Sequence, residues 1–313
     1  MKGLELSRKY YEEYGIPMLE NEFADTRQYL AVGLVGSGSE CLGDDDEISQ
    51  DHDFEPGFCI FLPGEDVVDR KEAFRLERAY AKLPKEFEGF TRSQMSPVGG
   101  SRHGVIRTAD FYQDKTGVAN GEIGKLDWLH VPSYALREAT DGEVYEDNYG
   151  EFTRIREQLM EMPEDVRLKK LAGHLLLMAQ AGQYNYLRIT QHGEKAAAQM
   201  AIYEFIKHAV EVIFLLNNEY CPYYKWSFRA MRSLTVLYDL DYSFYILMTS
   251  NNEGSNPQEK SALIEEICGK VIAFLTEQGM SKATCGDLEK HAYSVNDSIE
   301  DSEIRNLNIL YAI

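Results

Sequence analysis

The stretch Tyr29-Leu30-Ala31-Val32-Gly33-Leu34-Val35-Gly36-Ser37-Gly38-Ser39-Glu40 decides how the chain is read. Tyr29 to Val35 is a continuous apolar run that ends in glycines. Its length, its valines and the glycines after it favour a buried strand over a helix. The turn that follows lets backbone N–H groups approach a phosphate closely, because glycine carries no Cβ and tolerates positive φ. A helix starting at this point adds its positive end. Taken alone, a Gly/Ser turn after a strand serves equally well as a tight connection.

The sequence downstream narrows that choice. Asp51-His52-Asp53-Phe54 stands at the entry to a second apolar run, Gly57-Phe58-Cys59-Ile60-Phe61-Leu62, which Pro63-Gly64 closes. At a strand period of two, Asp51 and Asp53 are expected to project from one face. Two like charges beside an apolar strand destabilise the fold unless something neutralises them, and a divalent cation does so. Mg2+ prefers one or two carboxylates plus substrate phosphate oxygens to a full protein cage. A phosphate-cradling turn and a carboxylate pair on adjacent strands are the parts that metal-assisted phosphoryl transfer needs. The pair by itself also fits a solvated acidic turn, in keeping with Asp44-Asp45-Asp46-Glu47 nearby.

Outward from this region the first half mixes strand and helix signals. Residues 7–23 are helix-rich, 66–83 form a charged amphipathic helix, 103–108 a short third strand, and 114–125 a glycine-rich loop. From about Thr153 long helical patterns dominate: 153–160, 164–181, 193–217, 225–237 and 256–278. Pro163, Gly182, Pro222 and the Asn251–Pro257 run separate them. The expected class is α+β, with a mixed-sheet domain at 1–150 and an antiparallel helical bundle at 151–313.

Composition bounds the partners. The 313 residues suffice for two cores, and a hydrophobic fraction of 44% argues against wholesale disorder. No apolar run approaches the ~20 residues that cross a bilayer, and residues 1–5 lack a secretory apolar stretch, so a cytoplasmic location is expected. A formal charge of −20 opposes extended nucleic-acid binding and mildly favours cationic acceptors. Five scattered cysteines, none in a C-x-x-C pair, suit a reducing compartment as small buried apolar residues. No nucleophile elbow, P-loop, dinucleotide fingerprint or zinc-helix motif is present.

The Gly-Ser turn followed by Asp-x-Asp resembles the signature of the DNA polymerase beta-like nucleotidyltransferase superfamily, with eleven residues between Ser39 and Asp51. More closely, the chain looks like a bacterial family of nucleotidyltransferase-like proteins of undetermined function. The matching stretches are Gly36–Glu40, Ser49–Asp53, Asp127-Trp128-Leu129 and Tyr220–Trp226. The resemblance implies an N-terminal nucleotidyltransferase domain and a C-terminal helical bundle, as in aminoglycoside nucleotidyltransferases. It also implies that Ser39 or Ser37, with Gly36 and Gly38, contacts NTP phosphates, and that Asp51 and Asp53 hold Mg2+. The middle residue, His52, replaces the usual apolar one and reads as structural. The third carboxylate expected on a neighbouring strand falls to Asp127 or Asp110, because residues 103–108 carry none. The activity so implied is transfer of a nucleoside monophosphate from an NTP to a small-molecule acceptor. The alternative is a nucleotide-binding sensor or antitoxin-like partner without turnover.

Four other features bear on function. Lys225, between Tyr224 and Trp226, either clamps a triphosphate or lies along Trp226. Tyr220, Tyr223, Tyr224 and Trp226 form either a stacking surface or core. Asn185 and Arg188 line a cleft or a helix surface. Arg167 and His174 have a spacing similar to that of HEPN-type ribonucleases, but His174 falls among leucines and reads as a core histidine.

Overall fold

The computed structural model describes residues 1–48, 54–92 and 103–313. The deciding apolar run forms β1 (Ala31–Val35), buried at every position. The other strands are β2 (Cys59–Leu62), a short hairpin of β3 (Glu86–Phe87) and β4 (Phe90–Thr91), β5 (Gly104–Arg107) and β6 (Gly142–Asp147). Four of them make one mixed sheet in the order β5-β2-β1-β6. β1 pairs antiparallel with β2 and β6, while β5 runs parallel to β2. The chain is therefore of mixed α/β class.

Both faces of the sheet are covered, which is why β1 and β2 read as continuous apolar runs and not as alternating ones. On one face Val32, Ile60 and Leu62 pack against Leu6, Tyr10, Leu19, Leu76 and Tyr80. These come from α1 (Gly3–Tyr10), α2 (Ile16–Glu22) and, beyond the short α3 (Ala24–Arg27) and α4 (Ser39–Leu42), from α5 (Arg70–Lys82). On the other face Phe61 lies under Phe111 of α6 (Thr108–Thr116) and Phe152, with ring centroids 5.3 and 4.1 Å away. After α7 (Ser133–Thr140), Phe152 is carried by α8 (Glu151–Met160).

The β3–β4 hairpin and α7 have no counterpart in the sequence expectation, and α6 and β6 differ from it. α6 runs into the stretch read as a loop, because Phe111 and Tyr112 bury its inner side. β6 has no apolar run to announce it: Gly142-Glu-Val-Tyr-Glu-Asp carries three carboxylates. Its acids are answered from elsewhere, Glu143 by Arg8 and Glu146 by Arg27 at 2.8 Å, while Tyr145 donates to Ser7 Oγ at 2.7 Å.

The chain divides into two compact units, Met1–Ile123 with Val131–Glu161, and Gly124–His130 with Met162–Ile313. Among the described residues the second unit holds helices and no strand. They are α9 (Glu164–Ala179), α10 (Leu187–Gln191), α11 (Lys195–Leu216), α12 (Tyr224–Met231), α13 (Leu240–Thr249), α14 (Asn256–Glu277), α15 (Leu288–Asp297) and α16 (Ser302–Asn306). α9 continues into a π-helical turn at Gln180–Tyr186. α12 stops at Met231, short of the expected 237, and α13, α15 and α16 have no counterpart in the sequence reading. α13 escapes it because its residues are apolar nearly all round, and α16 because it is short. Side-chain caps define the last two: Asp287 accepts from Glu289 N, and Asp301 from Glu303 N and Ile304 N. Among the described residues no helix is long and apolar enough to cross a membrane.

Candidate functional site

The register fixes what lies around the Gly-Ser turn. Gly33 of β1 pairs with Cys59 of β2, so the exit from β1 and the approach to β2 share one end of the sheet. β5 begins at that end, with Gly104 beside Cys59, and so does β6, with Gly142 beside Val35. The turn leaves β1 through Gly36 and Gly38 at φ 115° and 125°, a conformation that L side chains rarely adopt. A Cβ on Gly38 would stand 2.7 Å from Glu40 Oε2, so the Glu40 carboxylate lies directly over the turn. Glu40 is only 7% exposed.

Gly3, the first residue of α1, ties the turn to the approach of β2. A Cβ there would meet Glu40 Cβ at 2.5 Å and the Phe54 ring at 3.3 Å. Its N–H donates to Asp45 Oδ2 at 2.8 Å, and Lys2 pairs with the same buried carboxyl at 3.2 Å. Phe54 is covalently joined to Asp53. Asp51, His52 and Asp53 themselves lie outside the described residues, so the expected metal pair has no geometry here. Among the described residues, no group of three His, Cys, Asp or Glu side chains is placed to hold a metal ion.

Of the described residues, Glu40 is the one whose carboxylate stands against the turn. A carboxylate against a turn repels a phosphate drawn to its N–H groups, unless a positive charge stands between them. Oxygen donors of the Glu40 type are those Mg2+ takes. Sequence reasoning passed over Glu40 although it adjoins Ser39, because its burial depends on α1. It also passed over Glu55 and His103, which meet at 3.4 Å (Oε1 to Nδ1) at the same sheet end. The His103 ring sits where a Cβ on Gly57 would be, at 2.7 Å.

The remaining candidates are placed as follows. Asp110 lies on the exposed side of α6, next to Phe111, whose ring is 3.6 Å from the Cβ position of Gly36. Asp127 is exposed and opens a single 3-10 turn, Asp127–Leu129, in the helical unit, with Trp128 and Leu129 buried behind it. Lys225 is exposed on α12, its ammonium 4.8 Å from the Trp226 ring, and Arg229 stands 5.4 Å from the same ring. The Tyr223 and Tyr224 rings meet at 4.4 Å, tilted by 47°, and both are exposed, whereas Tyr220 is buried. Arg188 lies 4.7 Å over Tyr184. Arg167 binds Glu164 and the Leu215 carbonyl, and His174, half-buried, meets His208, so the two residues serve separate contacts. A cavity of about 590 Å³ in the helical unit is lined by Lys125, Glu164, Asp165, Met280, Glu300 and Asp301 among others. Asp165 and Asp301 are engaged within the fold: Asp165 accepts from Glu300 N and Asp301 N, and Asp301 binds Lys125.

A family model described as a domain of unknown function, DUF4037, matches residues 128–227. The chain is similar to that family from Trp128 to the middle of α12, which takes in the Tyr220–Trp226 stretch. No curated protein and no solved structure matches the chain.

Proposed function

We propose that the protein transfers a nucleoside monophosphate from an NTP to a small-molecule acceptor in a Mg2+-dependent reaction. The observation that carries this reading is the convergence at Gly3: the glycine turn leaving β1, the buried Glu40 carboxylate and Phe54, the neighbour of Asp53, meet at one end of the sheet. Together with the resemblance of the Gly-Ser and Asp-x-Asp elements to nucleotidyltransferases, this arrangement suits a metal-bound triphosphate. Asp51 and Asp53 would hold the Mg2+, which would supply charge neutralisation for the triphosphate. Backbone N–H groups of Gly36 to Ser39 and the hydroxyls of Ser37 and Ser39 would bind the phosphates, with the Glu40 carboxylate over the same turn. The acceptor oxygen bonds to the α-phosphorus as the bond to the β-phosphate oxygen breaks. Pyrophosphate departs, and the acceptor proton passes to a carboxylate, for which Asp110, in the same unit as the turn, is the candidate.

A second reading, nucleotide binding without turnover, takes its support from the exposure of both Asp110 and Asp127. One experiment separates the two. Thermal stabilisation by ATP, GTP, CTP and UTP is measured with and without Mg2+, then pyrophosphate release across a panel of hydroxyl and amine acceptors. Transfer predicts stabilisation and release, both lost in Asp51→Ala/Asp53→Ala; binding alone predicts stabilisation without release. Stabilisation unchanged in the double variant, or absent in the wild type, overturns both. Asp110→Asn, Asp127→Asn and Lys225→Ala then identify which of these residues the reaction uses.

A further inference from the structure

Helices α9 and α11 pack antiparallel, in a register that two contacts fix. Arg167, near the start of α9, donates to the Leu215 carbonyl at the end of α11 at 3.0 Å. About two helical turns further along α9 and two turns back along α11, His174 meets His208 with the Nδ1 atoms 2.9 Å apart. The two rings thus project from facing helices whose relative position is already set. His208 is 4% exposed, and His174 is half-buried.

The partners determine where the protons sit. Glu204 Oε2 lies 3.5 Å from His208 Nε2. A carboxylate accepts, so Nε2 of His208 carries the proton and its Nδ1 presents a lone pair, to which His174 Nδ1 donates. Moving that one proton to His174 Nε2 leaves two Nδ1 lone pairs aimed at a single point. Neutral imidazole is the form that binds metal, and burial keeps both rings neutral. A carboxylate on the outer nitrogen is the contact that orients a metal-bound histidine, and Glu204 occupies that place. Tetrahedral Zn–N bonds of about 2.0–2.1 Å put two nitrogens about 3.3 Å apart, so the rings need part by only about 0.4 Å. The cations acting on the pair, Lys170 and Lys207, each have a carboxylate acting on them: Glu211 on Lys170, and Glu204 at 3.4 Å from Lys207.

We propose that His174 and His208 bind a divalent transition-metal ion of the Zn2+ class through their Nδ1 atoms, cross-linking α9 to α11. Facing helices of a bundle are where such sites are built. Among the described residues no third His, Cys, Asp or Glu joins the two, so water completes the coordination. Imidazole suits Zn2+, Cu2+ and Ni2+, whereas Mg2+ takes oxygen donors. The inference is therefore independent of the nucleotidyl-transfer reading.

Calorimetric titration of Zn2+ into the chelator-treated full chain tests it, with saturating Mg2+ present throughout. The expected result is a site for one Zn2+ per chain, with Tm raised by a few degrees at roughly hundredfold excess over Kd. His174→Gln and His208→Gln keep a hydrogen-bonding side chain, and each is expected to lose that site and the Tm shift. Cu2+ bound to the wild type is expected to show hyperfine coupling to two imidazole nitrogens in its electron paramagnetic resonance spectrum. Should the Gln variants fail to fold, His174→Cys puts a thiolate at the same position of α9, and its Co2+ complex is expected to gain a thiolate-to-metal absorption band. A wild type that binds no Zn2+, binding unchanged in a folded Gln variant, bound Cu2+ without the two-nitrogen coupling, or a folded Cys variant without the new band overturns the proposal.

Discussion

His174 and His208 meet Nδ1 to Nδ1 at 2.9 Å across the seam between α9 and α11. One of these nitrogens must donate and the other accept, so the contact excludes the doubly protonated pair. Burial is the main force keeping both rings neutral; Lys207 adds to it at both, and Lys170 at His174. Glu204, 3.5 Å from His208 Nε2, opposes it more weakly.

This pair makes the helical unit acid-sensitive. The folded-state pKa of His208 is lowered from 6.5 to about 4, so the unfolded state binds more protons between those values. Stability is then full above pH 6.5 and falls as pH drops toward 4. At ~1.4 kcal/mol per pH unit the loss from His208 is on the order of 3 kcal/mol. Urea unfolding at pH 7 and pH 4.5, compared between wild type and His208→Gln, isolates this contribution from that of the carboxylates. A pH profile identical in the two proteins contradicts it.

Lys169 is fully buried, and among the described residues no carboxylate pairs with its ammonium. Nζ donates to Asn296 Oδ1 at 2.8 Å, to the Leu307 carbonyl at 2.7 Å and to the Arg305 carbonyl at 3.3 Å. It thereby ties α9 to the end of α16, where helix carbonyls favour a cation. Burial lowers its pKa, a sign that the charge is held at a cost. Lys169→Met keeps the volume and removes the donors, and is expected to destabilise the fold by about 2 kcal/mol. Lys169→Ala adds a cavity and costs more. Equal stability of the Met variant in denaturant titration refutes the tie.

Gly33 sits in the middle of β1 at the point where the register with β6 shifts. A Cβ there would stand 2.4 Å from the Glu143 carbonyl oxygen and 3.0 Å from Val144 Cα, both backbone atoms that have nowhere to go. Gly33→Ala is expected to cost roughly 3 kcal/mol, or to abolish soluble expression, by forcing β6 off the sheet. Gly43→Ala is the control. Nothing lies within 4 Å of its Cβ position, and only the left-handed backbone charges it about 1 kcal/mol. A Tm loss of similar size in both variants shows that close approach is not what Gly33 serves.

Cys41, Cys59, Cys221 and Cys268 are buried, and Cys285 is exposed. Burial pushes the Cys59 thiol up to about 12 and raises that of Cys268 further. A thiol reagent at pH 8 is therefore expected to modify one cysteine in the folded protein and five in denaturant, with Cys285→Ser silent until unfolding. Fast modification of two or more native thiols rules this out.

Part of this protein was legible from the chain alone. The run from Tyr29 to Val35 dictates a doubly covered strand, since no alternating polar residue leaves a face for water. Gly36 and Gly38 announce a turn that only glycine supports, and the long periodic stretches announce α9, α11 and α14. These signals are local, set by backbone sterics and side-chain periodicity, and they survive without knowledge of partners. The tertiary structure decided the rest. β6 exists because Arg8 and Arg27 neutralise an acidic segment far along the chain. Glu40 is buried because α1 closes over it, His174 finds His208 and not Arg167, and Gly33 is required because the β6 backbone presses against it. Each of these depends on which distant residue comes within a few ångströms. Desolvation and ion pairing act through space, and no spacing along the sequence encodes them.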